Sequence, residues 1–144
     1  MPYSIYRATD NSSVSESRPW RFNLISDYTF SEGRFNGLKP GTAYRWQDRE
    51  VVGCPVFPGA GSTPTAPVYG LAHPFLGTVE TSIDLWIGYE RKFAKKCTWR
   101  TQLNVNNVFA KRGLIPVIVQ PDGSLAAGRI PAPTLWMLTN SIPF

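Results

Sequence analysis

The chain has few of the residues from which catalytic and metal sites are usually built. It contains one histidine, His73, and two cysteines, Cys54 and Cys97, in 144 residues. A metal site, or a nucleophile paired with a base, needs partners at suitable spacing, and His73 has none in the sequence. Gly59-Ala-Gly61 lacks the strand-to-helix context and the lysine of a phosphate-binding loop. The sequence therefore predicts no enzyme activity, no metal site and no cofactor.

Charge and long apolar runs are also scarce. Charged residues make up 17% of the chain, against roughly 25% in an ordinary soluble domain. No apolar run approaches the roughly 18 residues that a membrane-spanning helix needs. The net charge of +5 is spread along the chain and is not gathered into a basic stripe, which argues against nucleic-acid binding. The opening Met1-Pro-Tyr has neither the basic nor the apolar region of a secretory signal.

The chain is instead rich in aromatic residues, at 13%, and in segments where apolar and polar residues alternate. In the first such segment Trp20, Phe22 and Leu24 alternate with Arg21 and Asn23. A period of two is typical of a β-strand. The same alternation predicts five strands, near residues 20–30, 39–51, 80–93, 98–109 and 134–144.

The connections between the predicted strands alternate in length. Residues 31–37 and 94–97 form short turns, whereas 53–78 and 110–133 form long loops. The first long loop holds five prolines and five glycines, so no regular element is expected there. The second is expected to contain a short hairpin around residues 116–126. This order predicts an all-β fold with an antiparallel meander of about five strands.

A meander with alternating short turns and long loops is typical of an outer-membrane barrel. A strand of ~10 residues, tilted by ~45°, covers about 23 Å, which is close to the ~25 Å apolar band of such barrels. The last predicted strand ends in Phe144, which closes a mostly apolar row of alternate residues. We therefore expect the C-terminal segment of a transmembrane β-barrel, with lipid against its apolar face.

The segments also resemble the barrel of TonB-dependent outer-membrane receptors, especially the ferric-siderophore branch. Residues 18–30 and 37–46 are similar to a late barrel hairpin of that family, in which a strand ending in Tyr-x-Phe turns into a Gly-x-x-Tyr-Arg strand. Residues 99–109 resemble its penultimate strand, and 131–144 resemble its closing strand with the terminal aromatic. No single motif carries the resemblance; the segments in this order do.

The resemblance implies that the chain is one part of a larger receptor. Barrels of this family have about 22 strands around a plug, whereas this chain supplies five strands and no plug. We expect residues 1–144 to be the C-terminal barrel segment, in the bacterial outer membrane as part of a longer chain. The whole receptor would import ferric siderophores or similar large substrates. Its partners would be outer-membrane lipid, the remaining barrel and plug, the TonB system acting through the plug, and the siderophore.

The resemblance also assigns roles to individual residues. The expected lumen-facing residues are Arg21, Asn23, Asp27, Arg45, Arg49, Asp84, Glu90, Arg100, Gln102, Asn104 and Asn106. The expected lipid-facing residues are Trp20, Phe22, Leu24, Tyr44, Leu85, Tyr89, Leu103, Leu138 and Phe144. The expected signal for outer-membrane assembly is Trp136, Leu138, Ile142 and Phe144. The candidates for ligand contact are the loop residues Tyr69, His73 and Phe75.

Two residue pairs have simple expected roles. Cys54 lies at the start of a long loop and Cys97 in a short turn, so we expect them at opposite ends of the sheet, beyond the ~7 Å limit for a disulfide. Asp84 and Glu90 share one strand face at about 20 Å, too far apart for a glycosidase pair, whose carboxyl groups lie within roughly 10 Å. They are expected to line a charged wall, balanced by Arg45, Arg49, Lys92 and Arg100.

Two other classes of protein remain open. In a soluble β-sandwich or lectin-like binding module, the apolar rows would form an inner core, and the chain would be soluble without detergent. A small complete outer-membrane barrel is the other possibility, but it needs at least eight strands and the sequence predicts five.

Overall fold

The computed structural model describes residues 18–57, 68–94 and 97–142. Within these residues the chain is all-β, as predicted, with a single short 3-10 helix at Gly33–Phe35. No helix in this described part is long and apolar enough to span a bilayer. The strands are β1 (Arg21–Asp27), β2 (Leu38–Gln47), β3 (Val51–Gly53), β4 (Val56–Phe57), β5 (Val68–Tyr69), β6 (Phe75–Leu76), β7 (Glu80–Ala94), β8 (Cys97–Asn106), β9 (Ile115–Val119), β10 (Leu125–Arg129) and β11 (Leu135–Ser141).

Five of these strands form one antiparallel sheet in the order β1-β2-β7-β8-β11. Each of the five pairs with the next of the five along the chain, which confirms the predicted meander. The β7–β8 connection is as short as predicted, because Ala94 pairs directly with Cys97. The two residues between them lie outside the described residues.

The strand registers fix which side chains share a face of this sheet. Leu85 of β7 lies opposite Val105 of β8, and Val105 lies opposite Trp136 of β11. Directly opposed residues project from the same face of a sheet, so these three share a face. Their chain neighbours Asn104 and Met137, which are also paired, project from the other. The predicted separation of an apolar and a polar row is therefore confirmed across these strands.

Several predicted strands end earlier than expected. The strand predicted over residues 20–30 ends at Asp27, and the one predicted over 134–144 ends at Ser141. The strand predicted to reach residue 51 ends at Gln47, because Val51 already pairs with Leu76 in a separate small sheet. Arg49 therefore lies after the end of β2, so the alternation along that strand does not determine toward which face the Arg49 side chain projects. The strand predicted to reach Phe109 ends at Asn106, because the next residue has a positive φ of 51°.

The loop at residues 53–78 was predicted to lack regular structure, and that prediction is wrong. β4 pairs with β5, and β6 pairs with β3, each over two or three residues. Prolines permit these short ladders because they lose only the N–H group and their carbonyl still accepts a hydrogen bond. The Gly70 N–H donates to the Pro55 carbonyl at 2.8 Å, for example.

The second long loop contains the predicted hairpin. β9 and β10 pair in antiparallel fashion, from Ile115 opposite Arg129 to Val119 opposite Leu125. Gly123 takes a φ of 86° in the turn between them. Such a value suits glycine, which has no Cβ to clash with the backbone.

The chain divides into two compact units, which we call the sheet unit and the loop unit. The sheet unit comprises Phe22–Trp46, Thr81–Arg112 and Pro131–Phe144. The loop unit comprises Met1–Arg21, Gln47–Glu80 and Gly113–Ile130. Among the described residues, the only buried apolar side chains are Val51 and Val52 of the loop unit, at 6% and 2% exposure. The described part of the sheet unit therefore has no buried apolar core.

Candidate functional site

One face of the sheet unit carries exposed apolar side chains. The rings of Phe22 and Tyr44 lie 6.5 Å apart, which joins β1 and β2 on this face. Exposure on this face ranges from 41% at Leu85 to 67% at Trp136 among its largest exposed apolar side chains. We name this set the apolar row, and it comprises Phe22, Leu24, Tyr44, Leu85, Ile87, Tyr89, Leu103, Trp136 and Leu138. Phe144, which the sequence placed in this row, lies outside the described residues.

The opposite face carries ion pairs between neighbouring strands. Arg45 of β2 donates from Nη2 to Asp84 Oδ2 at 2.6 Å. Farther along β7, Glu90 Oε2 accepts from Lys39 Nζ at 3.1 Å and faces Arg100 Nε at 3.2 Å. Asp84 and Glu90 thus belong to separate ion pairs, with the predicted partners Arg45 and Arg100.

Lys39 is the partner that the sequence analysis did not identify. It lies six residues before Arg45 on the same strand, so period-two alternation places both on one face. This six-residue spacing was the sequence signal that could have identified Lys39. The three cations are about half exposed, so water screens these pairs and each contributes little stability.

A partly open depression of about 440 Å³ lies beside Glu90 in the sheet unit. Gly88 has no side chain to fill this space, and Lys39, Arg100 and Thr139 are among the residues around it. The lining combines two cations and one carboxylate with the hydroxyl groups of Thr101, Thr139 and Ser141 and the amide of Gln102, so the depression offers both hydrogen-bond donors and acceptors to a polar group.

Trp86 also lies on the polar face, where it covers a glycine of the neighbouring strand. A Cβ atom added to Gly41 of β2 would overlap the indole ring of Trp86. A glycine that leaves room for an aromatic ring from the adjacent strand strengthens the pairing of the two strands. Trp86 lies two residues after Asp84, so alternation along β7 places it on this face, but alternation gives no signal for its contact with Gly41.

Asn107 is a second residue of structural importance that the sequence analysis missed, since it selected Asn106. The Asn107 N–H donates to Asp84 Oδ1 at 2.8 Å, and its side-chain amide donates to the Ala132 carbonyl. Thr134 Oγ1 in turn donates to the Asn107 carbonyl at 2.8 Å. These bonds join β7, the end of β8 and the segment before β11. The available signal was the residue type, because asparagine tolerates positive φ better than most residues.

The structure describes all three predicted ligand-contact residues, and they belong to the loop unit. Tyr69 of β5 is 60% exposed, and His73 is exposed in the turn that follows. Phe75 of β6 is half-buried and lies opposite Gly53. Within the described residues, no side-chain hydrogen bond or ring contact joins the three, although they are near one another in the sequence.

The loop unit contains a network of four charged side chains, which we name the ion cluster: Arg18, Glu50, Glu80 and Arg129. The Arg18 side chain is only 5% exposed. Its guanidinium donates to the Asp48 carbonyl at 3.0 Å, lies 3.1 Å from Glu50 Oε2, and donates to Glu80. Arg129 donates to the same oxygen of Glu80.

The ion cluster perturbs the protonation of two of its members. Burial by itself would raise the pKa of Glu80, but hydrogen bonds and charge attraction from Arg129 and Arg18 outweigh it, and the pKa lies below its ordinary value. The hydrogen bond to Glu80 raises the pKa of Arg129. The four residues are separated by up to 111 positions, so no local sequence signal identifies the cluster.

Neither cysteine forms a disulfide: Cys54 and Cys97 are both free and half-buried. In the part of the chain that the structure describes, no group of three or more His, Cys, Asp or Glu side chains is placed to hold a metal ion. No protein-family model, curated protein or solved structure matches the chain.

Proposed function

We propose that the chain forms part of the barrel wall and the outer loops of a TonB-dependent outer-membrane receptor that imports ferric siderophores or similar large substrates. The observation that carries the proposal is the apolar row, exposed on one face of a meander whose other face is ion-paired. The receptor family rests on the resemblance of residues 18–30, 37–46, 99–109 and 131–144 to its last strands.

The apolar row favours a lipid environment on physical grounds. A half-exposed antiparallel sheet in water normally buries its apolar face against a core. Here that face includes Trp136 and Leu138 at 67% and 65% exposure. Contact with lipid chains would remove this surface from water without any further protein layer.

The edges of the sheet favour a longer barrel. In the described residues β1 and β11 each have a partner strand on one side only. In a membrane every backbone N–H and C=O must be paired, because lipid offers no hydrogen bonds. Strands from the remaining barrel would pair with both edges.

The charges on the polar face favour an orientation of this face toward the barrel lumen. Its paired charges, Arg45 with Asp84 and Glu90 with Lys39 and Arg100, suit a water-filled or plugged interior. In the whole receptor this wall would face the plug, through which the TonB system acts. The long loops, with Tyr69, His73 and Phe75, would lie on the outer side and contact the siderophore.

The proposal is tested by the behaviour of residues 1–144 in water and in detergent. We expect aggregation without detergent, and a folded β-sheet protein in micelles that floats with lipid vesicles. The physical reason is the combination of an exposed apolar row with two unpaired strand edges. Sedimentation, circular dichroism and flotation are the measurements. A monodisperse, cooperatively melting monomer in detergent-free buffer would contradict the proposal and favour the soluble β-sandwich.

The receptor assignment has a separate test in the DNA upstream of the coding sequence. We expect an open reading frame that encodes a plug and the earlier barrel strands. If the chain inserts into membranes but the upstream DNA encodes neither a plug nor earlier strands, the result supports a membrane-embedded sheet and contradicts the assignment to the receptor family.

A further inference from the structure

The ion cluster joins four segments of the loop unit around a buried cation. Arg18 precedes β1, Glu50 precedes β3, Glu80 begins β7 and Arg129 ends β10. The guanidinium of arginine stays protonated in proteins, so Arg18 cannot lose its charge when it is buried. It is stable there only while carboxylates and carbonyls surround it.

The cluster lies next to the only buried apolar side chains in the described residues. Glu50 is buried and is followed directly by Val51 and Val52. The Glu50 carbonyl accepts a hydrogen bond from the Gly77 N–H at 2.8 Å, one residue after β6. The position of Glu50 is therefore coupled to the β3–β6 pairing, which includes Phe75.

We propose that the ion cluster is an acid-sensitive clasp that holds the segments of the loop unit together. At neutral pH two carboxylates balance two guanidinium groups, and the clasp is closed. Protonation of Glu80 leaves Arg18 buried beside too little negative charge, and the segments separate. The proposal concerns the loop unit alone and does not depend on insertion into a membrane.

The direction of the pH effect follows from the groups that face Glu80. These are Arg18 and Arg129, with Glu50 across from Arg18; Asp48 contributes its carbonyl, and its carboxylate accepts the Arg49 N–H. The pKa of Glu80 is lowered in the folded chain. The stabilisation is therefore fully present above the ordinary glutamate pKa of about 4.3, and it is lost as the pH falls through the lower folded value.

The two native cysteines provide a direct measurement. Cys54 lies one residue after β3 in the loop unit, and Cys97 begins β8 in the sheet unit. Both are half-buried, so each labels slowly while its surroundings stay closed. The full chain is labelled in micelles with 4,4′-dithiodipyridine, a reagent that reacts with thiols at acidic as well as neutral pH. The ratio of the two labelling rates removes the effect of pH on the thiol chemistry itself.

We expect the ratio of the Cys54 labelling rate to the Cys97 labelling rate to rise at least about tenfold in Arg18→Met at neutral pH, because the substitution breaks a buried charge pair. Arg18→Lys, which keeps the charge, should restore part of the protection. Arg45→Met is the matched control, because it removes an exposed ion pair of the sheet unit, and it should leave the ratio unchanged. In the unmodified chain the ratio should rise when the pH falls below about 4.

Glu80→Gln keeps the shape of the side chain and removes its charge. It should raise the ratio at neutral pH and flatten the pH dependence. If Arg18→Met fails to fold, the clasp is tested by Glu80→Gln and by the pH series on the unmodified chain. Equal ratios in the unmodified chain, Arg18→Met and Glu80→Gln would overturn the clasp, as would a ratio that does not change with pH.

Discussion

Gly41 and Gly88 lie on the same face of the sheet unit but meet different surroundings. A Cβ atom at Gly41 would overlap the Trp86 ring. A Cβ atom at Gly88 would make an ordinary contact, 3.6 Å from Lys39 Cβ. Both glycines have ordinary strand conformations, so backbone strain does not separate them. The difference lies only in the space above each position.

We therefore expect Gly41→Ala to lower the free energy of unfolding by about 1–3 kcal/mol, the usual cost of overpacking. Gly88→Ala should change it by less than about 0.5 kcal/mol, as for a substitution away from such a contact. Urea unfolding in micelles measures both. Trp86→Ala should make the two glycine substitutions similar, because it removes the ring. Equal effects of Gly41→Ala and Gly88→Ala in the unmodified background would contradict the packing of Trp86 on β2.

Asn107 makes contacts that its position in the sequence does not indicate. Its neighbour Asn106 continues the alternation of β8 and was assigned to the wall, and it is the last residue of that strand. The positive φ of Asn107 ends the strand, and its hydrogen bonds reach Asp84, Ala132 and Thr134. These partners lie 23 to 27 residues away in the chain. Only the folded arrangement identifies them.

At the scale of single elements, β11 separates the two faces most clearly. Met137 lies opposite Asn104 on the polar face, and Leu138 lies opposite Leu103 in the apolar row. Both side chains are at least half exposed, at 50% and 65%. They differ in the face they occupy but not in burial, so they form a matched pair.

If the apolar row faces lipid as proposed, Leu138→Lys should destabilise the folded chain in lipid by about 2–4 kcal/mol, because it would place a charge on that side. Met137→Lys should be tolerated, because its side chain would join the ion-paired face. Both variants are folded into lipid vesicles and unfolded with urea. Similar losses at the two positions, or a greater loss at Met137, would contradict the assignment of the faces.

The elements themselves were largely predictable, because alternation with period two is a property of the sequence. The five main strands follow it, and the β9–β10 hairpin follows its turn residues. Strand ends were not predictable to the same degree. β2 ends where Val51 finds a partner in β6, and that pairing depends on residues 25 positions away. The short strands β4, β5 and β6 were missed for the same reason.

At the scale of the whole molecule, the two cysteines lie in different units. Cys54 belongs to the loop unit and Cys97 to the sheet unit, and both are free. We expect labelling under denaturing, non-reducing conditions to find two thiols per chain, even after expression in an oxidising compartment. Mass spectrometry of the labelled chain measures the number. An intramolecular disulfide would mean that the strand order is wrong, since the predicted topology places the two residues at opposite ends of the sheet.

The sequence by itself determined the five main strands, their meander order and the division of their side chains between an apolar and a polar row. These follow from local alternation and from the spacing of turns, which are encoded within each segment. Beyond the predicted partners Arg45 and Arg100, the tertiary structure decided which charges meet. The ion cluster, the Lys39–Glu90 pair and the hydrogen bonds of Asn107 join residues 23 to 62 positions apart, and Arg129 reaches Glu80 across 49. Such contacts depend on how strands and loops pack, and the alternation of residues within one strand indicates the face that a side chain occupies but not its partner.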